Sequence, residues 1–550
     1  MKKIVISLVA LLSCLSCSDA LVNVAPTDQL TDETVWSTPQ NADLFLNDIY
    51  HALNAGPWSS IWTNVPTEVS NDPLDNYSDN AVNANIAGVL SYTHFANNTY
   101  GPNAQIFGPH WSRMYANIRK CNLFLEKIAA SSFEEATKKN MLAQARFLRA
   151  YYYTSLVNWY GGVPLITKVL NRNSGEDINY PRSTYEECVA FIQEECAKAA
   201  ADLPTAVTGT NVGRATKGAA LALKGELELY AGKWRDAATT NQQIMQLGTY
   251  ALFADYGALF YSANENNQEV IFDIQYAPNI KGHARDTYWG VTMLSNGLGW
   301  GSVNPTQNLV DEYEFLDGKT AAEGSTLYDP KKPYENREKR FYASILYDGT
   351  PWIGGQVIYT RLGIANNNNV FDASGAGGRN RTGYFLKKLL DPAVMPSRDN
   401  LNNLTGGSNS IIFRYAEVLL NYAEAKNELS GPDASVYEAI HKIRTRAGLP
   451  NLPAGLSQEQ MRQRIRRERR VELAFEGKRL LDLWRWRVAP QVFSQPLRGM
   501  KITTVNGALT YEVVNVGGGT IKFDPGKNYL MPIPQAVIDQ NPKIVQNPGY

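Results

Sequence analysis

A chain of 550 residues, 44% of them hydrophobic, has enough apolar material for a large core and room for one big domain or several smaller ones. Lysine plus arginine (53) equals aspartate plus glutamate (53), so no overall field recruits nucleic acid or an acidic substrate. Only five cysteines occur, and two of them, Cys14 and Cys17, lie in the first seventeen residues, which excludes a disulfide framework.

In chain order, Lys2 and Lys3 precede an apolar run, Ile4 to Leu12. The run suits a signal-peptide core and is too short to span a bilayer. It ends in Leu15-Ser16-Cys17, with Leu12-Ser13-Cys14 just before. A small residue ahead of cysteine is the pattern of a bacterial lipoprotein box. The chain turns polar at Ser18-Asp19, which favours Cys17 over Cys14 as the acylated residue. Several acyl chains, at about 0.8 kcal/mol per buried methylene, would moor the protein to a membrane it does not cross. Residues 1–16 are therefore read as a signal peptide, and Asp19 to Asp32 as an extended tether.

Thr38-Pro39 reads as an N-cap with proline in the first turn, and Ala42, Phe45, Leu46, Ile49 and Leu53 follow at helical spacing. Gly56-Pro57 stops that helix, and residues 56–110 show little period. Helices are predicted over Trp111 to Ile128 and Phe133 to Tyr160, the second stopped by Gly161-Gly162. Ser183-x-x-Glu186 reads as a capping box opening a helix from Tyr185 to Ala201. Cys188 and Cys196 lie about 12 Å apart along that helix, too far for a disulfide. Two antiparallel helices around Gly232-Lys233, with the small residues Ala219, Ala222 and Gly225, resemble a degenerate tetratricopeptide unit. A second pair turns at Gly431-Pro432, and Ser457-x-x-Gln460 caps a further helix through Phe475. Between the helical blocks, residues 255–410 are rich in Gly, Asn, Tyr and Trp. The pieces "EVIFDIQY" and "GQVIYTRLG" there read as short strands. The proline-spaced C-terminus is expected to wrap the surface irregularly. The expected fold is mainly α: tetratricopeptide-like helix pairs form a scaffold from residues 17–250 and 411–550. A long loop-rich insertion with short strands, 255–410, sits where binding tends to occur.

Catalytic chemistry finds little material. A glycoside hydrolase needs two carboxyls facing one sugar bond, about 5–5.5 or 6.5–9.5 Å apart. Glu68, Asp72, Asp75 and Asp79 offer carboxyls in a loop-like stretch, but nothing marks one as desolvated. The same oxygens suit a structural calcium, without the spacing of an EF-hand. No cofactor and no metal site is expected. The five histidines are scattered, and neither HExxH nor GxSxG occurs. The arginine-rich run "RQRIRRERRVELAFEGKR" has Glu468, Glu472 and Glu476 interleaved, so Arg464–Glu468 and Arg469–Glu472 can pair along one helix. It reads as an ion network rather than a nucleic-acid groove.

Aromatic residues in loops are the stronger signal. Sugars present flat C–H faces on which Trp and Tyr stack, while Asn, Asp and Arg bind the hydroxyls. The candidates are Trp58, Trp62, Asp75, Asn76 and Tyr77 in the first loop region, Tyr288, Trp289, Asn296 and Trp300 in "RDTYWGVTMLSNGLGWGSVNPTQ", and Trp352 in "GTPWIGG". A fully buried ring cannot meet a polymer, so exposure decides among them.

Four blocks, "ARFLRAYYYTSLVNWYGGVPLI", "FRYAEVLLNYAEAK", "RRERRVELAFEGKRLLDLWRW" and "PIPQAVIDQNPKIVQNPGY", resemble the SusD/RagB family of outer-membrane nutrient-uptake lipoproteins, over nearly the whole mature chain. The resemblance implies a SusD-like domain over residues 17–550. It implies a lipid anchor on the outer membrane, exposed at the cell surface, and pairing with a SusC-type TonB-dependent transporter. It also implies capture of oligosaccharide, or in the RagB branch peptide, without enzymatic activity. A glycoside hydrolase is the third reading. The resemblance transfers no ligand contact by position.

Overall fold

In the computed structural model the described residues are 32–54, 73–84, 95–104, 107–291, 299–365, 367, 369–373, 380–517 and 520–550. The long helices are α1 (Pro39–His51), α2 (Phe107–Ala130), α3 (Glu135–Tyr160), α4 (Tyr185–Asp202), α5 (Lys217–Tyr230), α6 (Trp234–Gln246), α7 (Tyr415–Ser430), α8 (Ala434–Ala447) and α9 (Gln458–Glu472). The caps explain their ends. Thr38 Oγ1 accepts the Asn41 N–H at 3.2 Å, and Ser457 and Gln460 form the expected capping box. The box on α4 uses Thr184 and Glu187, one residue later than Ser183 and Glu186, because "STYEE" offers both registers. The arginine-rich helix stops at Glu472 rather than Phe475, where Phe475 takes a left-handed φ of 67°.

Neighbouring helices pack in sequence from α2 to α6, and α6 then packs against α7, which holds α8 and α9. The two helical blocks are thus one continuous array, interrupted in sequence but not in space. Gly225 shows why small residues recur on α5: a Cβ there would lie 2.7 Å from the Asn241 side chain on α6. One apolar core runs through the array and takes in C-terminal residues such as Met531, Ile533 and Ile544. The insertion has a second core, built from residues such as Val303, Leu309, Phe341 and Tyr384.

Strands are short and pair two by two, all antiparallel: β1 (Ala81–Asn83) with β3 (Val303–Pro305), β2 (Val270–Ile274) with β8 (Ser410–Arg414), β4 (Ile345–Leu346) with β7 (Phe385–Leu386), β5 (Thr350–Pro351) with β6 (Val357–Ile358), and β9 (Arg498–Val505) with β10 (Ala508–Asn515). The two strand-like pieces of the sequence correspond to β2 and β6. The β9–β10 hairpin turns at Asn506-Gly507, both at positive φ, the conformation that a two-residue hairpin turn requires.

The arginines of α9 form the expected ion network, with a different wiring. Arg464 pairs with Glu323 at 2.9 Å rather than with Glu468, and Arg469 with Asp482 at 2.7 Å rather than with Glu472. Glu472 accepts Arg414, Arg340 and Arg446, which come from β8, the helix Lys339–Ser344 and α8. Burial works against its carboxylate, but the three guanidiniums hold it charged far below the usual range. The helix ties insertion and array together instead of satisfying itself. Cys121, Cys188 and Cys196 are buried free thiols.

Candidate functional site

The site grows from a five-residue helix, Arg285–Trp289, at the edge of the insertion core. Buried polar bonds fix it. Thr287 Oγ1 donates to Asn400 Oδ1 at 2.7 Å, and Asp286 Oδ1 accepts the Asp391 N–H at 3.1 Å. Burial pushes the Asp286 carboxyl up to about 6 and the neighbouring His283 imidazole down to about 3. The returning chain then lies against the helix. Trp300 N–H donates to Thr287 O at 2.9 Å, Gly301 N–H to Gly290 O at 2.8 Å, and Ser302 N–H to Tyr288 O at 3.0 Å, before the chain enters β3. A clamp this dense leaves little freedom to the side chains it carries.

Two rings project from it. Tyr288 and Trp300 meet edge to face, with centroids 5.0 Å apart and planes at 70°. Trp300 is 43% exposed and Tyr288 half-buried. Edge-to-face contact is a favoured aromatic geometry, so the pair is held before any ligand arrives. Trp352 stands half-buried against the apolar group Val291, Leu346, Ile358 and Phe385, and the Lys387 ammonium lies 5.7 Å from its ring centroid. These three rings are the predicted candidates that keep an accessible face among the described residues.

Four other candidates do not. Trp289 is 1% exposed, and Asp75, Asn76 and Tyr77 are buried as well. Asp75 accepts the backbone N–H of Phe475 and of Gly477, each at 3.0 Å, so it latches its segment to the chain beyond α9. Tyr77 packs edge to face on Phe95 at 5.2 Å, and Asn76 donates to Ser302 O at 3.4 Å. These residues support the site from beneath and offer no face to a polymer. Asp79 is committed to Arg470 and Arg479: burial disfavours its charge, but the two guanidiniums hold the carboxyl down at about 2. Trp58, Trp62, Asn296 and Cys17 lie outside the described residues.

Sequence reasoning named Trp289 as a ring for stacking but missed its neighbour Arg285 on the same helix. Arg285 and Trp289, four residues apart, line a cavity of about 190 Å³ that is partly open to solvent and whose wall does not include Tyr288. α3, α5 and β8 supply much of the remaining wall, including Asn158, Tyr230 and Phe413. The i, i+4 spacing of Arg and Trp in "RDTYW" was the available signal.

With this geometry in view, the relatives are informative. Residues 268–550 match the model of the SusD family, and residues 32–228 match a second model described as starch-binding, associating with the outer membrane. The chain belongs to the SusD family. A SusD-like protein of Bacteroides fragilis superposes with a TM-score of 0.81 at 30% identity, covering 96% of this chain and 100% of its own. A SusD-like carbohydrate binding protein of the same species gives 0.79 at 28% identity, covering 93% and 99%. A laminarin binding SusD-like protein gives 0.66 at 25% identity, again covering 93% and 99%.

Proposed function

We propose that this protein is a non-catalytic, surface-exposed lipoprotein of the outer membrane that captures oligosaccharides and hands them to a SusC-type TonB-dependent transporter. The observation that carries the reading is the preorganised, exposed Tyr288–Trp300 pair on a chain of this family. The carbohydrate-binding and laminarin-binding relatives support it. Sugar C–H faces stack on Trp300, and Trp352 extends the aromatic surface. Mooring through Cys17 raises the local concentration of captured ligand beside the transporter.

Affinity electrophoresis against laminarin, other glycans and peptides tests this. The Trp300→Ala and Tyr288→Ala variants are each expected to weaken glycan retardation about tenfold, equivalent to about 1.4 kcal/mol. Full retention of affinity by a folded Trp300→Ala variant sinks the assignment of the binding surface. Retardation by peptides alone replaces glycan with peptide capture. Release of shortened sugars on prolonged incubation would show an enzyme.

A further inference from the structure

Arg285 is 1% exposed and lines the cavity on the inner side of the site helix. Its guanidinium reaches Ser408 Oγ, Ser408 O at 3.4 Å and Ser410 Oγ at 3.5 Å, and its Nε has no hydrogen-bond partner. No carboxylate among the described residues stands at ion-pairing distance from it; Asp286, Asp391 and Glu265 act on it only from further away. The other charges of the wall are engaged. Glu226 and Lys478 pair with each other, and Glu476 accepts Lys388 at 2.6 Å and Arg414 at 2.6 Å. Arg337, equally buried, shows how this fold satisfies an arginine that needs no anion: three backbone carbonyls, of Pro333, Val310 and Tyr313, accept from it. Arg285 has instead one long carbonyl contact, two serine hydroxyls and the Trp289 ring 5.7 Å from its guanidinium carbon, and it lines a cavity.

A buried guanidinium with an unpartnered Nε, no carboxylate in ion-pairing range and a cavity beside it can receive an oxyanion, because its planar fork matches carboxylate and sulfate oxygens. We propose that the cavity takes an anionic substituent of the captured glycan, a uronate carboxylate or a sulfate ester, on Arg285. This rests on the glycan-capture reading and narrows it to acidic saccharides.

Calorimetric titration at fixed ionic strength tests the proposal. The probes are laminarin, oligogalacturonate, its methyl ester, a sulfated galactan with its desulfated form, and a short peptide with a free carboxyl end. Oligogalacturonate is expected to bind at least tenfold more tightly than its methyl ester if the anion is a carboxylate. The sulfated galactan gains as much over its desulfated form if it is a sulfate. In Arg285→Gln the acidic-to-neutral affinity ratio should fall at least tenfold. Equal affinities within both pairs overturn the proposal on the unmodified protein, whatever the variant does. So does a cooperatively melting Arg285→Gln that keeps the preference, or binding of the acidic peptide alone. Tight laminarin binding without any acid preference would leave capture standing and remove only this inference; silence from every saccharide would remove capture itself.

Discussion

Asp79 and Asp273 are both buried, yet their carboxyls sit on opposite sides of the ordinary carboxylate range. Asp79 has two guanidiniums beside it. Asp273 has only neutral amides, from Gln275 and from Asn409 at 3.0 Å, and burial pushes it up to about 6. The signs follow by linkage. A depressed acid contributes stability above its unfolded value that is lost as pH falls, for Asp79 through about 2. A raised acid contributes stability below its unfolded value that is lost as pH rises, for Asp273 through about 6. Asparagine at position 273 does not titrate. Between about pH 4.5 and 7.5, wild type should therefore lose stability relative to Asp273→Asn, by roughly 2 kcal/mol, since one pKa unit corresponds to about 1.36 kcal/mol. Urea unfolding of both proteins at the two pH values measures this, and a constant difference refutes it.

At the scale of elements, α9 is the joint of the molecule. Removing one charge from a buried ion cluster leaves its partners uncompensated, which costs about 3–5 kcal/mol. Glu472→Gln should lower the unfolding free energy measured by urea titration by that order, because Arg340, Arg414 and Arg446 all lose a carboxylate. Glu459→Gln, at the exposed start of the same helix, should change stability by less than about 1 kcal/mol. The composition of α9 announced ion pairs; the partners were not legible, since Glu269, Glu314 and Arg414 reach the network from distant parts of the chain. Helix positions and caps were readable to within a few residues, because capping is local chemistry. The β9–β10 hairpin went unread although Asn506-Gly507 marks it, its strands being mostly polar and exposed on one side. The site was half legible. "YWG" and "GWG" look alike in sequence, yet Trp289 is buried and Trp300 exposed. Only the packing of β1, β3 and the short helix Arg398–Asn403 decides between them.

For the whole molecule, the proposed acyl anchor is the feature that bears most on the proposed capture. No helix among the described residues is long and apolar enough to cross a membrane. If Cys17 carries the acyl chains, Cys17→Ala should move the protein from the membrane fraction to the soluble fraction of fractionated cells while leaving the proposed capture site and its affinity in solution unchanged. Continued membrane retention would point to Cys14 or to another attachment.

The seam where α6 meets α7 has a consequence for how the protein is made. Ala237 and Ala238 on α6 close against Ala425 on α7, which lies far downstream in the chain. Synthesis runs from the amino end, so the flank of α6 stays bare until the whole insertion and the next helix have emerged. A chain that ends before residue 415 lacks the helix that covers this flank and leaves its apolar residues facing water. The same packing that makes two distant sequence blocks into one frame therefore leaves the frame open until both blocks are present.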